Sequence, residues 1–304
     1  MATSTSAVQV GGLHKSYGRR RVLTGLDLEV EAGSFHGIIG ANGIGKTTLL
    51  EIIYGARQPD AGTVKVLGRA PLPRNPALLR RIGVQTQNPA FFPRASVWEH
   101  LATMASLFGS SAARTEQVLA ATGLSDVANT RVTRISQAKR LRLALASAIV
   151  HRPEVLFLDE PTAGLDTTGR DNLRALLQQV RQDSTTIVCT IHSLEEAEPL
   201  CDVVSVLDGG QLQATAAPSS LIARRSREAT ILLPKAPGVI DKIVDLKEVN
   251  SVRIIPEGLL VTFRDITAGH SVLAVAGMVT TTSPAHRGTP ERPAAQVAVQ
   301  GWKT

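Results

Sequence analysis

The sequence predicts an α/β protein: a parallel sheet with crossover helices, entered through short antiparallel strands, interrupted by a helical insertion and followed by a small α+β unit. Three observations predict it. Between Phe35 and Leu200, apolar runs of strand length alternate with stretches of helical periodicity, the order that pairs strands in parallel through crossovers. A glycine-rich turn, Gly40 to Thr48, joins one such run to the helical stretch Thr47 to Tyr54. The block Ser96 to Phe108, Thr115 to Thr122 and Gln137 to Val150 is helical with no strand run inside it, which marks it as an insertion.

Taken in order, Val8 to Val66 holds alternating segments such as Val22-Leu23 and Leu26 to Val30, separated by glycines and leading to a strand over Phe35 to Ile39. Ala77 to Val84 leads to a second short strand, and Gln87 to Arg94 is loop. Val155 to Leu158 and Thr186 to Thr190 are continuous apolar runs expected as buried strands, with an amphipathic helix over Arg170 to Gln182 between them and a helix over Leu194 to Leu200 after them. Asp208-Gly209-Gly210 reads as a tight turn. Beyond it, strands are expected over Glu228 to Leu233, Ser251 to Ile255 and Leu259 to Phe263, and helices over Val239 to Val244 and Ser271 to Val279. The Pro/Ala/polar stretch Ser283 to Thr304 reads as a loose tail. The expected division is therefore 1–222, with a helical subdomain over about 88–150, then 223–282, then 283–304.

With 43% hydrophobic and 19% charged residues over 304 positions, the composition is that of a folded globular chain. Cys189 and Cys201 show no CxxC spacing and are expected as reduced thiols. Met1 to Val10 has neither a basic nor an apolar signal region, so a cytoplasmic location is expected. No stretch reaches the roughly 18 apolar residues of a membrane span, which leaves any spanning to a partner. The net charge is +7, yet aromatic residues are only 3%. That is poor material for stacking on bases, so Arg19-Arg20-Arg21 and Arg224-Arg225 are read as solvated surface and no nucleic-acid partner is expected.

The turn Gly40-Ala41-Asn42-Gly43-Ile44-Gly45-Lys46-Thr47-Thr48 fits G-x-x-x-x-G-K-[ST] in a strand-to-helix context. Glycines let backbone N–H groups converge on phosphate oxygens, and the helix start adds its positive dipole end. Lys46 is expected to reach β/γ-phosphates and the Thr47 hydroxyl to ligate Mg²⁺. This loop alone leaves adenylate-type kinases, GTPases and recombinases open. The strand Val155 to Leu158 then delivers two carboxylates. Asp159 is the expected Mg²⁺ partner, and Glu160 is placed to polarise an attacking water.

Leu158-Asp159-Glu160-Pro161-Thr162-Ala163-Gly164-Leu165-Asp166 resembles the Walker B and D-loop segment of the ATP-binding cassette (ABC) family, and the likeness runs over roughly residues 8–215. It implies a P-loop NTPase fold with a RecA-like parallel sheet, ATP and Mg²⁺ as ligands, and a second cassette as partner. On that pattern Tyr17 resembles the aromatic that stacks on adenine. Gln87, in Gln85-Thr86-Gln87-Asn88-Pro89, resembles the glutamine that touches Mg²⁺ or water, and His192 resembles the switch histidine at the γ-phosphate. The nucleotide is expected on Tyr17, Gly40, Asn42, Gly43, Gly45, Lys46, Thr47 and Thr48, with Ser136 facing the nucleotide of the opposite subunit; Glu160, His192 and Gln87 are the catalytic candidates, and Thr47, Gln87 and Asp159 the metal candidates.

The chain departs from the family at one place. Where the family carries Leu-Ser-Gly-Gly-Gln, this sequence reads Ile135-Ser136-Gln137-Ala138-Lys139. Ser136 and a helix N-terminus persist, but both glycines are replaced, and Lys139 brings a positive charge near the expected γ-phosphate. A homodimer would hold two impaired composite sites, a heterodimer one intact site; a binding-only cassette is the third reading. Pro93 to Leu101 and the single cassette with a short C-terminal addition look similar to ATPase subunits of bacterial two-component drug, antibiotic and lipid exporters. That likeness implies a separate transmembrane permease, attachment to the inner face of the membrane, and Phe91, Phe92 and Trp98 as permease contacts. A soluble, non-transport ABC ATPase is the competing class.

Overall fold

The computed structural model describes residues 6–182, 184–227, 229–233, 249–256 and 258–263. The chain divides into two units, Met1–Pro218 and Ser219–Thr304.

The first unit opens with two long strands, β1 (Ser6–Tyr17) and β2 (Arg20–Glu31), paired antiparallel, and β1 also pairs antiparallel with β4 (Ala61–Val66). The sheet order is β2-β1-β4. Between β2 and β4 lie β3 (Phe35–Ile39) and helix α1 (Lys46–Ile53). The apolar face of α1, Leu49, Leu50, Ile52 and Ile53, joins one core with Val8, Val10, Leu13 and Val30 of the antiparallel sheet and Ile38 and Phe157 of the parallel one. One helix thus cements both sheets, and the phosphate loop sits at its start.

The second sheet adds β5 (Ile82–Gln85), β6 (Val155–Leu158), β7 (Thr186–Ile191), β8 (Val203–Asp208) and β9 (Gln211–Ala216) in the order β5-β6-β7-β3-β8-β9. All neighbours are parallel except β8 and β9. Every residue of β3, β6 and β7 is buried, as expected of strands covered on both faces. Their carboxyl ends emerge on one edge, where ligands bind in open α/β sheets.

The insertion carries α3 (Val97–Leu107), α4 (Ala112–Ala121) and α5 (Gln137–Ile149). The side chain of Ser96 accepts from the Glu99 N–H while Glu99 accepts from Ser96 N–H, a reciprocal cap that sets where α3 begins. Short helices α2 (Pro76–Leu79) and α7 (Leu194–Ala197), and the longer α6 (Thr167–Gln182) and α8 (Pro218–Arg227), complete the set among the described residues.

Three departures from the sequence reading have local causes. The helix expected over Arg170 to Gln182 starts at Thr167, because Asp166 Oδ1 accepts from Gly169 N at 2.8 Å and so caps the helix a turn earlier. The helix expected over Leu194 to Leu200 ends at Ala197; Pro199 has no N–H to continue it. The turn at Gly209-Gly210 closes a hairpin, β8 to β9, in which both glycines have positive φ (57° and 80°). Its outer strand alternates exposed and half-buried residues at the sheet edge. Cys189 and Cys201 are free and buried.

In the second unit, β10 (Ala229–Leu233), β11 (Val249–Ile255) and β12 (Gly258–Phe263) form an antiparallel sheet in the order β10-β12-β11. The helices expected over Val239 to Val244 and Ser271 to Val279, and the tail Ser283 to Thr304, lie outside the described residues.

Candidate functional site

The loop from Gly40 to Gly45 leaves β3 and enters α1 with a glycine at each end where a side chain has no room. A Cβ on Gly40 would lie 2.5 Å from Leu207 O. Gly45 takes φ 120°, and a Cβ there would meet Val22 Cγ1 at 2.7 Å; only glycine tolerates both constraints. No side chain caps α1, so its first N–H groups are free to face an anion. Asn42 stands exposed at the tip of the loop, and Arg20 Nη2 donates to Gly43 O at 2.7 Å from the β1–β2 turn.

Lys46 folds back over this loop, its Nζ donating to Gly40 O at 2.9 Å and Ala41 O at 3.3 Å. The side chain is 4% exposed, and Nζ lies 3.9 Å from Glu160 Oε1. Burial lowers its pKa, opposed by the attraction of Glu160 and Asp159. The ammonium is thus held at the mouth of the cradle with two carboxylates beneath it.

Thr47 Oγ1 donates to Asp159 Oδ1 at 3.2 Å, and Thr190 Oγ1 donates to the same oxygen at 2.7 Å. Thr190, fully buried at the end of β7, also accepts from Glu160 N at 2.8 Å. One hydroxyl therefore orients both acidic residues. Burial raises the Asp159 pKa against those two hydrogen bonds, and the neighbouring Glu160 raises it further. Hydroxyl, carboxylate and amide oxygens are hard donors that suit Mg²⁺, and a cation would relieve the crowding of two half-desolvated carboxylates. The residues fit the ion.

Glu160 takes φ 49°, a left-handed conformation rare for a residue with a side chain. That turn aims its carboxylate at the site. Gln87 Nε2 donates to Glu160 Oε2 at 2.9 Å, and His192 Nε2 lies 3.3 Å from the same oxygen. Residues following β5, β6 and β7, together with Lys46 after β3, thus converge on one carboxylate. Gln85 is buried in β5; the glutamine that reaches the site is Gln87.

Tyr17 closes β1 with its ring 42% exposed. Its hydroxyl lies 3.4 Å from Thr48 Oγ1, beside the start of α1. Ser136 belongs to a different place. It is exposed at the N-terminus of α5, where its hydroxyl accepts from Lys139 N at 3.3 Å. Lys139 Nζ is bound to Asp126 at 2.5 Å. The positive charge that the sequence puts near the expected γ-phosphate is thus paired with a carboxylate of the helical insertion.

Sequence reading missed Thr190 and Arg20. Thr190 had a faint signal, a hydroxyl near the carboxyl end of a buried strand, two residues before His192. Arg20 had none, since its contact with Gly43 O crosses between separate segments. On the insertion, Phe91 and Phe92 pack against His100 with ring centroids 5.3 and 5.1 Å away. His100 is buried, hydrogen-bonded to Ser147 at 3.2 Å, and its pKa is lowered by burial. Phe92 and Trp98 remain exposed.

Residues 23–163 match the ABC transporter family model. The chain is 39% identical over 223 residues to "Nod factor export ATP-binding protein I" of Paraburkholderia xenovorans, covering 72% of this chain and 73% of that one. It is 34% identical over 253 residues to "Daunorubicin resistance ATP-binding protein DrrA3" of Streptomyces coeruleorubidus, covering 82% and 80%. Among solved structures, cbiO1 of Clostridium perfringens, described as part of the ABC transporter complex cbiONQ, superposes with a TM-score of 0.65 at 26% identity, over 72% of this chain and 92% of that one.

Proposed function

The chain belongs to the ABC transporter family as an ATP-binding, ATP-hydrolysing subunit, and on that premise we propose that it powers export through a separate membrane-spanning permease. The observation that carries the reading is the convergence of Gln87, His192 and Lys46 on the Glu160 carboxylate. It gives a base for an attacking water and an ammonium for the γ-phosphate in the same few ångströms. The names of the two relatives, one an export protein and one a drug-resistance protein, support the direction of transport.

In this reading the backbone N–H groups from Asn42 to Thr48 cradle the β/γ-phosphates, Lys46 donates to their oxygens, and the adenine base stacks on Tyr17. Thr47, Asp159 and Gln87 hold Mg²⁺, which supplies charge neutralisation at the phosphates. Glu160 accepts the proton of the attacking water, Gln87 positions that water, and His192 contacts the γ-phosphate while steadying Glu160. Ser136 faces the nucleotide of a second cassette. With Gln137 and Ala138 in place of the glycines, a homodimer would hold two altered composite sites, and a heterodimer with an intact partner signature would hold one.

The ATP-binding domain is assigned to 1–222, with the helical subdomain over about 88–150, the small unit over 223–282 and the tail over 283–304. No helix among the described residues is long and apolar enough to cross a membrane. In the proposed reading the permease is a separate chain, and this subunit works on the inner face of the membrane. Exposed Phe92 and Trp98, with Phe91 beside them, form the docking surface for that permease. Purification of the full chain from membranes of its host tests the proposal. Recovery of a polytopic membrane protein that stimulates ATP turnover is expected; recovery only from the soluble fraction, with ribosomes or DNA, overturns it.

A further inference from the structure

Two cations lie beside the Tyr17 ring. Arg57 Cζ is 5.3 Å from its centroid and Lys15 Nζ is 5.8 Å from it. Neither is loose: Arg57 Nε donates to Glu51 Oε2 at 2.6 Å, and Lys15 Nζ donates to Asp60 Oδ1 at 2.7 Å. Glu51 belongs to α1, so Arg57 is fastened to the same helix that the phosphate loop opens into. The backbone repeats the tie, with Arg57 N donating to Glu51 O at 3.2 Å. By contrast the ring itself is 42% exposed and is held at its hydroxyl by one long contact of 3.4 Å.

A planar guanidinium is drawn to the negative face of an aromatic ring and can stack on it. A ring ordered in advance spares a ligand the entropy of ordering it. We propose that Arg57 is a positioning residue for the nucleobase: anchored by Glu51, it braces the Tyr17 ring so that a base stacks on a preset platform. The inference rests on Tyr17 being the base platform. It concerns the base and not the phosphates, because the charge of Arg57 is already met by Glu51 and its guanidinium lies at the Tyr17 ring.

The test uses the full chain carrying Glu160→Gln, so that nucleotide is bound without turnover, and measures the dissociation constants of Mg-ATP and of inorganic tripolyphosphate, which has no base. Arg57→Ala is expected to weaken Mg-ATP about two- to fivefold and to leave tripolyphosphate unchanged, which also reports that the phosphate loop is folded. Arg57→Lys, which keeps a cation and the partner Glu51 but not the planar stack, is expected to recover part of the loss. Unchanged or tighter ATP binding by Arg57→Ala overturns the inference, as does an equal loss for tripolyphosphate. Tyr17→Ala separates the two levels of the argument. If it weakens ATP while Arg57→Ala does not, only the role of Arg57 fails; if it has no effect, the platform reading of Tyr17 fails as well.

Discussion

The phosphate half of the site and the start of α5 are both helix N-termini with a hydroxyl residue close by, and they are built in opposite ways. At the phosphate half the acidic groups are held by residues from other strand ends. Thr190 orients Asp159 and Glu160, Gln87 and His192 meet Glu160, and Lys46 caps the cradle. At α5 the groups are spent locally, Ser136 on the N–H of Lys139 and Lys139 on Asp126. The difference teaches that the groups around Glu160 are brought together from several strand ends, while those at the start of α5 are satisfied within the helical insertion.

The largest expected effect tests the first half. Glu160→Gln keeps the hydrogen-bonding shape and removes the base, and turnover is expected to fall by about 10²- to 10⁴-fold while ATP binding is kept. Inorganic phosphate release by the full chain, together with a nucleotide binding assay, reads both. A loss under about tenfold would show that this carboxylate does not carry the reaction, and the contrast between the halves would lose its chemical meaning.

The same half should also be sensitive to acid. His36, in the strand that leads into the phosphate loop, is buried, shares a 2.8 Å hydrogen bond with Ser205, and its pKa is lowered by burial from 6.5 to about 4. The unfolded chain therefore binds a proton below about pH 6.5 that the folded chain refuses. Stability falls as pH drops from there toward 4 and levels off below, with a total on the order of 3 kcal/mol from this residue. Urea midpoints measured from pH 7 to pH 4 should show that loss, and His36→Gln should flatten it. An unaltered slope in the variant would place the acid sensitivity elsewhere.

How much of this was legible depended on whether the causes lay close in sequence. Gly40 to Thr48 and Asp159-Glu160 were readable because loop and strand end are contiguous, and the buried strands β3, β6 and β7 were readable as short, largely apolar runs of strand length. Thr190 was hidden because its partners sit at residues 159 and 160, across a strand pairing. The hairpin strands β8 and β9 were hidden because the outer one alternates polar residues at an edge, and Asp166 was read as part of a motif and not as the cap it also is. Thr190→Val tests the hidden link. It strips a donor from Asp159 and an acceptor from Glu160 N in a buried place, and a loss of about 1–3 kcal/mol is expected, seen as a lower midpoint in thermal unfolding with slower turnover. A stable, fully active variant would mean that the two acidic residues hold their orientation without it.

The smallest expected effect bears on the other half and decides what the replaced glycines mean. If Gln137 and Ala138 obstruct the approach of backbone N–H groups to a γ-phosphate on a facing cassette, then Gln137→Gly with Ala138→Gly should raise turnover of the purified chain about tenfold, equivalent to about 1.4 kcal/mol of transition-state stabilisation. ATP affinity at the phosphate half should not move, since those residues lie outside it. A mixing experiment isolates the geometry. The restored signature is placed on a chain that also carries Glu160→Gln and is therefore unable to hydrolyse at its own phosphate half, and this chain is added to wild type. In a mixed dimer the wild-type Glu160 then faces a restored signature, so turnover above that of wild type alone is expected from two chains of which one is inactive and the other impaired. No gain on mixing, together with no gain in the simple double variant, would show that the helix start at α5 already presents its N–H groups well enough, and that the two halves differ in construction without differing in function.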